Sequence, residues 1–319
     1  MNDVIRPRRL GSTGIELTAI GLGCMQFAGR GPGGMVFAPM PQERVDAVVE
    51  AAVRAGIGWF DTAEGYGHSE RALATALARA GVPPGGVRIA TKWNPTGRTA
   101  RSIPRTFPAR EAALHGRRVD LFQIHEPYTS IGRVGPQLTA MARLLEEGRI
   151  GGVGVSNFGA RRMERAAALL NGRLATNQVR ISLLHRDIER NGVLAAARRL
   201  GITLIAWQPL AGGLLTGRFH DDPEALRRIR PLRRLALVTR RSVERTTPLV
   251  NELRKIGHAH GVSVAQTALN WLITAYGETV VAIPGATRPE QAAESAAAMS
   301  FRLTDRERAA IDDQCRGLT

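Results

Sequence analysis

The chain has 319 residues, of which 44% are hydrophobic and 23% are charged, ordinary values for a globular protein with a sizeable core. No apolar run reaches the roughly 18 residues that a membrane-spanning helix needs, and residues 1–9 lack the apolar core of a secretory signal. With only Cys24 and Cys315, the sequence has neither a disulfide framework nor a metal-ligand spacing, so we expect no metal, no membrane association and a cytoplasmic location.

The formal net charge of +16 raises the question of nucleic-acid binding. The arginines, however, are spread over every predicted helix, and their densest groups fall at 227–241, in a predicted loop that leads into a helix. Aromatic residues are only 5% of the chain, too few for an obvious base-stacking surface. We therefore expect a solvated basic face and no nucleic-acid partner. The same positive field favours an anionic cofactor.

The elements in chain order begin with a predicted hairpin at 9–17, built around a glycine-containing turn. Eight short apolar runs then predict strands at 18–22, 58–61, 87–91, 119–125, 151–155, 175–179, 203–207 and 279–284. Apolar residues at three-and-four spacing predict helices at 42–55, 69–80, 136–147, 160–170, 191–200, 247–260 and 264–276. Thr304, with Glu307 three residues on, is an N-cap signal for a last helix at 305–315.

The third helix is the exception in this pattern. Pro104 and Pro108 both fall where it should form, and a proline inside a helix removes a hydrogen bond and clashes with the preceding turn. We expect this helix to be short or to begin near Pro108. Eight strands alternating with helices predict one α/β domain over 1–319: a (β/α)8 TIM barrel with an N-terminal β-hairpin cap and a C-terminal helix.

Lysine is almost absent from the chain. Lys92 and Lys255 are the two lysines among 44 basic residues, so 42 are arginine. Lys92 ends the third predicted strand, where a catalytic group of a barrel would lie. An ammonium is compact and its pKa responds to burial, whereas a guanidinium stays charged, so a lysine retained here predicts a catalytic role rather than an accident of composition.

Three further polar side chains fall at the ends of neighbouring strands. Asp61 ends the second strand, Tyr66 lies in the loop that follows it, and His125 ends the fourth. A free tyrosine has a pKa of about 10, and a nearby ammonium lowers it by stabilising phenolate. A carboxylate would hold the ammonium, and an imidazole could orient a carbonyl oxygen or relay the proton. The combination predicts a proton donor for an oxyanion that forms as hydride arrives.

Each of these residues also has an ordinary structural interpretation. Asp61 alone could cap a helix, Tyr66 could pack in a loop, and His125 could be a hydrogen-bonded core histidine. Glu64 and Glu126 are interpreted as solvated or structural. The hypothesis therefore depends on the four residues occurring together.

At these residues the chain resembles the aldo-keto reductase family, over nearly its full length. The blocks that carry the resemblance are LGSTG at 10–14, GLGCM at 21–25, FDTA at 60–63, YG at 66–67, SE at 69–70, ATK at 90–92, QIH at 123–125, GVGVSNF at 152–158, NQV at 177–179, PLAGGLLTG at 209–217 and IPGATRPEQ at 283–291. They are more similar to the bacterial, plant and potassium-channel β-subunit branches than to the aldose reductase branch.

The resemblance implies that Tyr66 is the proton donor, that Lys92 and Asp61 tune it, and that His125 orients the substrate carbonyl. It implies NADP(H) as cofactor, with Arg288 suited to the 2′-phosphate and Trp207 stacked on the nicotinamide. Ser156, Asn157 and Gln178 would hold the carboxamide. The remaining expected cofactor contacts are Gly23, Cys24, Met25, Asp61, Gln208, Pro209, Leu210, Gly212, Leu214, Arg218, Ile283, Gly285, Ala286, Gln291, Glu294 and Ser295.

The chain departs from the family pattern at three places near this cofactor site. Gln208 stands where serine is usual, Ser295 replaces a common asparagine, and 180–182 replace a more usual polar or aromatic stretch. We expect the substrate pocket to be shaped by 24–40, 94–101, 127–134 and 219–233. Apolar walls would come from Met25, Phe27, Met35, Phe37 and Trp93. Arg30 and Arg101 could bind an anionic or sugar-like substrate, but we interpret them as solvated.

The sequence thus predicts a reductase of a small-molecule carbonyl substrate that acts as a monomer or homo-oligomer. Two alternatives of other classes stay open. A class I aldolase also uses a strand-end lysine, but needs neither Tyr66 nor a nucleotide segment. A nucleotide-binding regulatory or redox-sensing subunit with little turnover is also compatible with the resemblance.

Overall fold

The computed structural model describes residues 6–29, 39–222, 224–228 and 238–318. A hairpin opens them, in which β1 (Arg8–Arg9) pairs antiparallel with β2 (Glu16–Leu17). Leu10 and Leu17 from this hairpin are buried against the inner side of the barrel strands. The predicted hairpin cap is therefore present, and its apolar side chains close the bottom of the barrel.

Eight parallel strands follow in the order of the sequence, each hydrogen-bonded to the next. They are β3 (Leu22–Gly23), β4 (Trp59–Asp61), β5 (Arg88–Trp93), β6 (Leu121–Ile124), β7 (Val153–Ser156), β8 (Leu174–Arg180), β9 (Thr203–Trp207) and β10 (Val280–Ala282). The sheet closes on itself because the Gly21 N–H donates to Ala282 O (2.9 Å) and the Gly23 N–H to Pro284 O (3.0 Å). All eight predicted strands are confirmed, and the fold is the expected (β/α)8 barrel.

Alternating residues of each strand divide the core into an inner and an outer part. The lower interior is filled by Trp59, Ala90, Leu121, Ala175, Ile205 and Val281. Their sequence neighbours point outward and pack under the helices. Gly21 is required at one contact, since a Cβ there would lie 2.3 Å from Cε2 of the Trp59 ring. The polar residues of the inner face lie above this apolar layer, at the carboxyl ends of the strands.

The helices form the outer layer. Their bounds are α1 (Gln42–Arg54), α2 (Ser69–Arg79), α3 (Ser102–Ala113), α4 (Val134–Glu146), α5 (Ala160–Leu169), α6 (Val193–Leu200), α7 (Arg218–Asp221), α8 (Glu224–Arg227), α9 (Arg240–His260), α10 (Val264–Ala275), α11 (Pro289–Ala297) and α12 (Asp305–Cys315). The Thr304–Glu307 capping box is present, as predicted. Of these, α7, α8 and α11 were not predicted, and α9 begins seven residues before its predicted start at 247.

The expectation for the third helix was wrong. α3 runs for 12 residues from Ser102, with Pro108 inside it. Pro104 lies in the first turn, where no intrahelical N–H bond is needed, and only the bond from position 108 is lost. Phe107 is fully buried and its ring packs edge-on against Phe122, 5.0 Å between centroids. Burial of such a side chain contributes about 1.5–3 kcal/mol, which offsets the local cost of the proline.

Among the described residues, no helix is both long enough and apolar enough to cross a bilayer. Of the dense arginine groups, Arg227 and Arg228 lie at the end of α8 and Arg240 begins α9. The arginines at 230, 233 and 234 lie outside the described residues.

Candidate active site

Strand register brings the predicted catalytic residues to one end of the barrel. Asp61 of β4 is paired with Ala90 of β5, and Lys92 of β5 with Gln123 of β6. Because side chains alternate along a strand, Asp61, Lys92 and Gln123 all point into the barrel, and His125 follows on the same side. The carboxyl ends of three adjacent strands therefore meet at these groups.

The centre of the site is a buried ion pair between Lys92 and Asp61. Lys92 is fully buried and Asp61 is 1% exposed. The Lys92 ammonium donates to Asp61 Oδ1 and to the carbonyl of Thr62 (2.8 Å). Asp61 Oδ2 accepts from Gln178 Nε2 (2.9 Å) and from Gln123 Nε2 (3.2 Å). Both charges thus have hydrogen-bond partners, which is what makes a buried pair tolerable.

The electrostatics keep Lys92 protonated. Burial by itself lowers the pKa of Lys92, but the charge of Asp61 and the hydroxyl of Tyr66 outweigh it, so its pKa lies above the ordinary value. The carboxylate therefore fixes both the position and the charge of the ammonium at neutral pH.

Tyr66 stands directly over this pair. It ends a short 3-10 turn, Glu64–Tyr66, that follows β4. Its hydroxyl lies 3.4 Å from His125 Nε2, and Lys92 Nζ lies 4.9 Å from the centroid of its ring. The Tyr66 and His125 rings meet edge to face, with 5.3 Å between centroids and an angle of 79°. The predicted tetrad of Asp61, Tyr66, Lys92 and His125 is brought together.

The balance of effects on Tyr66 differs from the expectation. Burial raises the pKa of the Tyr66 phenol and is the largest effect; Lys92 lowers it, and the pKa stays above its ordinary value. Lys92 does lower the pKa of Tyr66, as expected, but desolvation of the phenol has the larger effect, so the net shift is upward. The consequence is a neutral hydroxyl at physiological pH, which is the protonation state that a proton donor requires.

His125 is also neutral. Burial, with a smaller effect of the Lys92 charge, lowers the pKa of His125 to about 3. A neutral imidazole has one N–H donor and one acceptor nitrogen. It can accept a hydrogen bond from Tyr66 or donate one to a carbonyl oxygen, without adding a positive charge.

A carboxylate–guanidinium network beside the tetrad was not anticipated. Arg110 lies between Glu64 Oε1 (2.8 Å) and Glu70 Oε2 (2.8 Å). Thr91 Oγ1 donates to the other oxygen of Glu70 (2.6 Å), and Arg98 also reaches Glu64 (2.7 Å). Glu64 therefore has a structural role, which is one of the two interpretations, solvated or structural, that the sequence allowed. It ties the turn that carries Tyr66 to α3, the helix whose form the sequence did not predict.

Gln123 is the functional-looking residue that the sequence reasoning missed. Its amide donates to Asp61 Oδ2, and Thr176 Oγ1 donates to its Oε1 (3.3 Å). The sequence could have indicated this residue, because Gln123 is a polar residue in an otherwise apolar strand and lies two residues before His125. In a strand of period two, those residues share a face.

A second group of predicted residues lies on the opposite side of the barrel mouth. Ser156 and Gln178 are buried, and Ser156 Oγ donates to the Gln178 carbonyl (3.1 Å). Asn157, in the left-handed region with φ 58°, accepts from Trp207 Nε1 at its Oδ1 (3.1 Å). Trp207 is half-buried, so part of its ring surface is open to the mouth. A flat aromatic ring beside two amides fits a planar amide-bearing ring such as nicotinamide.

The segment after β9 has an unusual backbone conformation. Gly212 and Gly213 have φ of 69° and 104°, and neighbouring Gln208 has φ 51°. Within the described part of the chain, Gln208 Oε1 is buried without a hydrogen-bond partner. Buried polar atoms are nearly always paired, so this atom fits a site completed by a ligand. Leu210 and Arg218 of the same segment are at least partly exposed, whereas Pro209 and Leu214 are buried.

The third group surrounds the start of α11. Arg288 is the N-cap residue of this helix, is exposed, and forms no ion pair with any residue of the described ranges. Gln291 Oε1 accepts from the Thr287 N–H (2.9 Å), and Glu294 accepts from Ser263 Oγ (2.5 Å). Gly285 is exposed, whereas Ile283, Ala286 and Ser295 are buried. A free guanidinium at a helix N-terminus fits a phosphate group.

Some predicted residues lie elsewhere than expected. Cys24 is fully buried and burial raises the pKa of its thiol, so only Gly23 and Met25 of this predicted group have exposed surface. Trp93 is not a pocket wall: it points outward, is fully buried, and donates to Ser102 Oγ (3.0 Å). Phe27 is likewise in the core. Arg30, Met35, Phe37 and 229–233 lie outside the described residues, as does most of the predicted wall at 24–40.

Metal-ligating side chains do not gather in groups of three or more anywhere in the described ranges.

The chain is similar to known proteins over nearly all of its length. The model of the aldo/keto reductase family matches residues 19–315. An uncharacterized oxidoreductase of Mycobacterium tuberculosis is 35% identical over 310 residues, which cover 94% of this chain and 90% of that protein. An aldo-keto reductase of Strobilurus tenacellus is 32% identical over 309 residues, covering 92% of this chain and 88% of its own length.

A similar solved structure is that of a thermostable aldo-keto reductase in complex with the inhibitor epalrestat. It is 28% identical to this chain, with a TM-score of 0.76, and the alignment covers 97% of this chain and all of the other.

Proposed function

Because the chain belongs to the aldo/keto reductase family, and is thereby an oxidoreductase, we propose that it reduces an aldehyde or ketone to an alcohol with NADPH. The observation that carries this proposal is the position of the Tyr66 hydroxyl, 3.4 Å from a neutral His125 and above the Lys92 ammonium. A neutral donor beside a fixed positive charge suits the protonation of an oxyanion.

The residues present fit the cofactor. Trp207 would stack on the nicotinamide, with Ser156, Asn157 and Gln178 at its carboxamide. The main chain of 208–218 would hold the pyrophosphate, and Arg288 the 2′-phosphate. When bound, NADPH supplies the hydride for the carbonyl carbon.

The protein's own part is to bind the carbonyl oxygen and to provide the proton. His125 donates a hydrogen bond to the substrate oxygen, and Tyr66 releases its hydroxyl proton to that oxygen as negative charge develops there. Lys92 stabilises the phenolate left on Tyr66, and Asp61, held by Gln123 and Gln178, keeps the ammonium in place. The phenolate recovers a proton from water before the next turnover. We further propose that residues 1–319 act as one domain in the cytoplasm.

The test is NADPH oxidation, followed at its near-ultraviolet absorbance, with a panel of aldehydes, keto sugars and quinones. We expect turnover with at least one class, and its loss in Tyr66→Phe while NADPH still binds. Tight binding without turnover of any carbonyl would favour a regulatory subunit instead. A substrate adduct at Lys92 trapped by borohydride would favour an aldolase.

A further inference from the structure

Arg180 lies at the carboxyl end of β8, beside the ring that we assign to the nicotinamide. It is paired in register with Trp207 of β9, and its guanidinium carbon lies 5.6 Å from the centroid of the Trp207 ring. The indole N–H is held by Asn157. The ring is therefore held at its edge, Arg180 lies over one of its faces, and because Trp207 is half-buried, part of its surface stays exposed to a ligand.

The charge of Arg180 is not neutralised by a partner. Arg180 is half-buried, its Nε is buried without a hydrogen-bond partner in the described ranges, and it forms no ion pair there. Two other half-buried arginines differ: Arg110 contacts two carboxylates, and Arg186 pairs with Glu189 and Asp312. Burial lowers the pKa of Arg180 and a more distant Asp187 opposes this, which indicates a partly desolvated cation.

The other titratable groups around this ring are few. His185 does not add charge, because burial and Arg180 lower its pKa to about 4. Asp187 is exposed and lies nearer to Arg190, at 3.7 Å. Glu126, at the other end of the indole, accepts weakly from Asn157 Nδ2 (3.4 Å), and burial raises its pKa. Arg180 is therefore the cation, and Glu126 the anion, that flank the Trp207–Asn157 pair.

A nicotinamide ring carries a positive charge when oxidised and none when reduced. We propose that Arg180 is a specificity-determining residue that makes the site bind NADPH more tightly than NADP+, and so favours carbonyl reduction over alcohol oxidation. The inference rests on the proposed function, because it takes Trp207 as the nicotinamide platform. A cation behind the platform repels the oxidised ring and leaves the reduced ring unaffected.

The expected size follows from the distance. With stacking on the free face of Trp207, the two charges would lie roughly 10 Å apart. At an effective dielectric constant between about 20 and 40, this changes the affinity for a cation by roughly four- to fifteenfold. Because Arg180 is only half-buried, we expect the lower end, about fourfold.

The experiment is calorimetric titration of NADPH and of NADP+ into the parent and into Arg180→Gln, Arg180→Lys, Glu126→Gln and Arg165→Gln. Arg165 is an exposed arginine of α5 and is the matched control for the loss of one positive charge. In Arg180→Gln we expect the ratio of the NADP+ to the NADPH dissociation constant to fall about fourfold, through tighter binding of NADP+. Arg180→Lys and Arg165→Gln should keep the parental ratio, and Glu126→Gln should raise it.

The outcomes separate the inference from the proposed function. An unchanged ratio in Arg180→Gln, or equal weakening of both nucleotides, would overturn the role of Arg180 and leave carbonyl reduction standing. The equal weakening would mean that Arg180 only supports the Trp207 ring. If the parent binds neither nucleotide, the proposed function and this inference fail together.

Discussion

The Lys92 ammonium and the Asp61 carboxylate form an ion pair that is almost wholly removed from water at the mouth of the barrel. Two glutamine amides, from Gln123 and Gln178, complete the shell of the carboxylate. The rare lysine is thus a buried charge that donates to Asp61 and to the Thr62 carbonyl, whereas Lys255 is exposed and pairs with Glu252 (3.2 Å).

The first prediction concerns stability alone. Lys92→Met should lower the free energy of unfolding by about 3–5 kcal/mol, because it leaves the Asp61 carboxylate buried without its cation. The double variant Lys92→Met/Asp61→Asn should lose less, since no uncompensated charge remains. Lys255→Met should stay within about 0.5 kcal/mol of the parent. Urea denaturation measures all three, and equal losses for Lys92→Met and Lys255→Met would contradict the prediction.

The second prediction concerns the shape of the cation at position 92. Lys92→Arg keeps the charge, but a planar guanidinium cannot occupy the compact site between Asp61 and the Thr62 carbonyl. We expect the rate of carbonyl reduction to fall on the order of 10²–10⁴-fold, as when a positioned acid is lost. Single-turnover NADPH oxidation by the folded variant is the measurement. A near-parental rate would show that the lysine is an accident of an arginine-rich composition.

Trp207 should report cofactor binding by fluorescence. Trp59, Trp93 and Trp271 are each at most 1% exposed, so the half-buried Trp207 is the tryptophan with surface available to a ligand. We expect its emission to be quenched by NADPH, most of the quench to vanish in Trp207→Ala, and affinity to be largely kept in Trp207→Phe. A full quench in Trp207→Ala would remove the stacking assignment.

Arg288 should set the preference for a 2′-phosphate. Arg288→Ala should weaken NADPH binding by about tenfold or more, since a charge-assisted hydrogen bond contributes roughly 1.5–3 kcal/mol, and should leave NADH binding little changed. Arg302, exposed shortly after α11, is the control for a general loss of positive field. Equal losses for both nucleotides in Arg288→Ala would place the 2′-phosphate elsewhere.

The pH dependence of carbonyl reduction should show that His125 and Tyr66 are both neutral at physiological pH. With the His125 pKa at about 3 and that of Tyr66 raised, reduction should show no titration near pH 6.5 and should decline only as Tyr66 ionises at alkaline pH. A rate that follows a group with a pKa near 6.5 would contradict the neutral imidazole.

The same shift affects stability. Between about pH 6.5 and 3 the unfolded chain binds a proton at His125 that the folded chain does not. The contribution of His125 to the free energy of unfolding is therefore complete above about pH 6.5 and is lost as the pH falls from about 6.5 to 3. Urea unfolding of His125→Asn should show a flatter dependence there than the parent.

The order of the elements was predictable from the sequence because it depends on local patterns. Period-two and three-and-four spacings, together with the Thr304–Glu307 capping box, predicted eight strands, most of the helices and the last helix to the residue. The catalytic candidates were also predictable, since a barrel places the residues that follow its strands at one end. To predict Asp61, Lys92 and His125 as catalytic candidates, it was enough to assign the ends of their strands correctly.

The remaining features depended on tertiary contacts that no local pattern contains. α3 persists through Pro108 because Phe107 is buried against Phe122 on the outer side of the barrel, and the raised pKa of Tyr66 follows from burial that outweighs the effect of Lys92. Gln123 and Arg180 acquired their positions only when strands distant in sequence became neighbours in the sheet. Local propensity decides which elements form; burial and the distances across the closed barrel decide the charge, the protonation state and the partners of each side chain at its mouth.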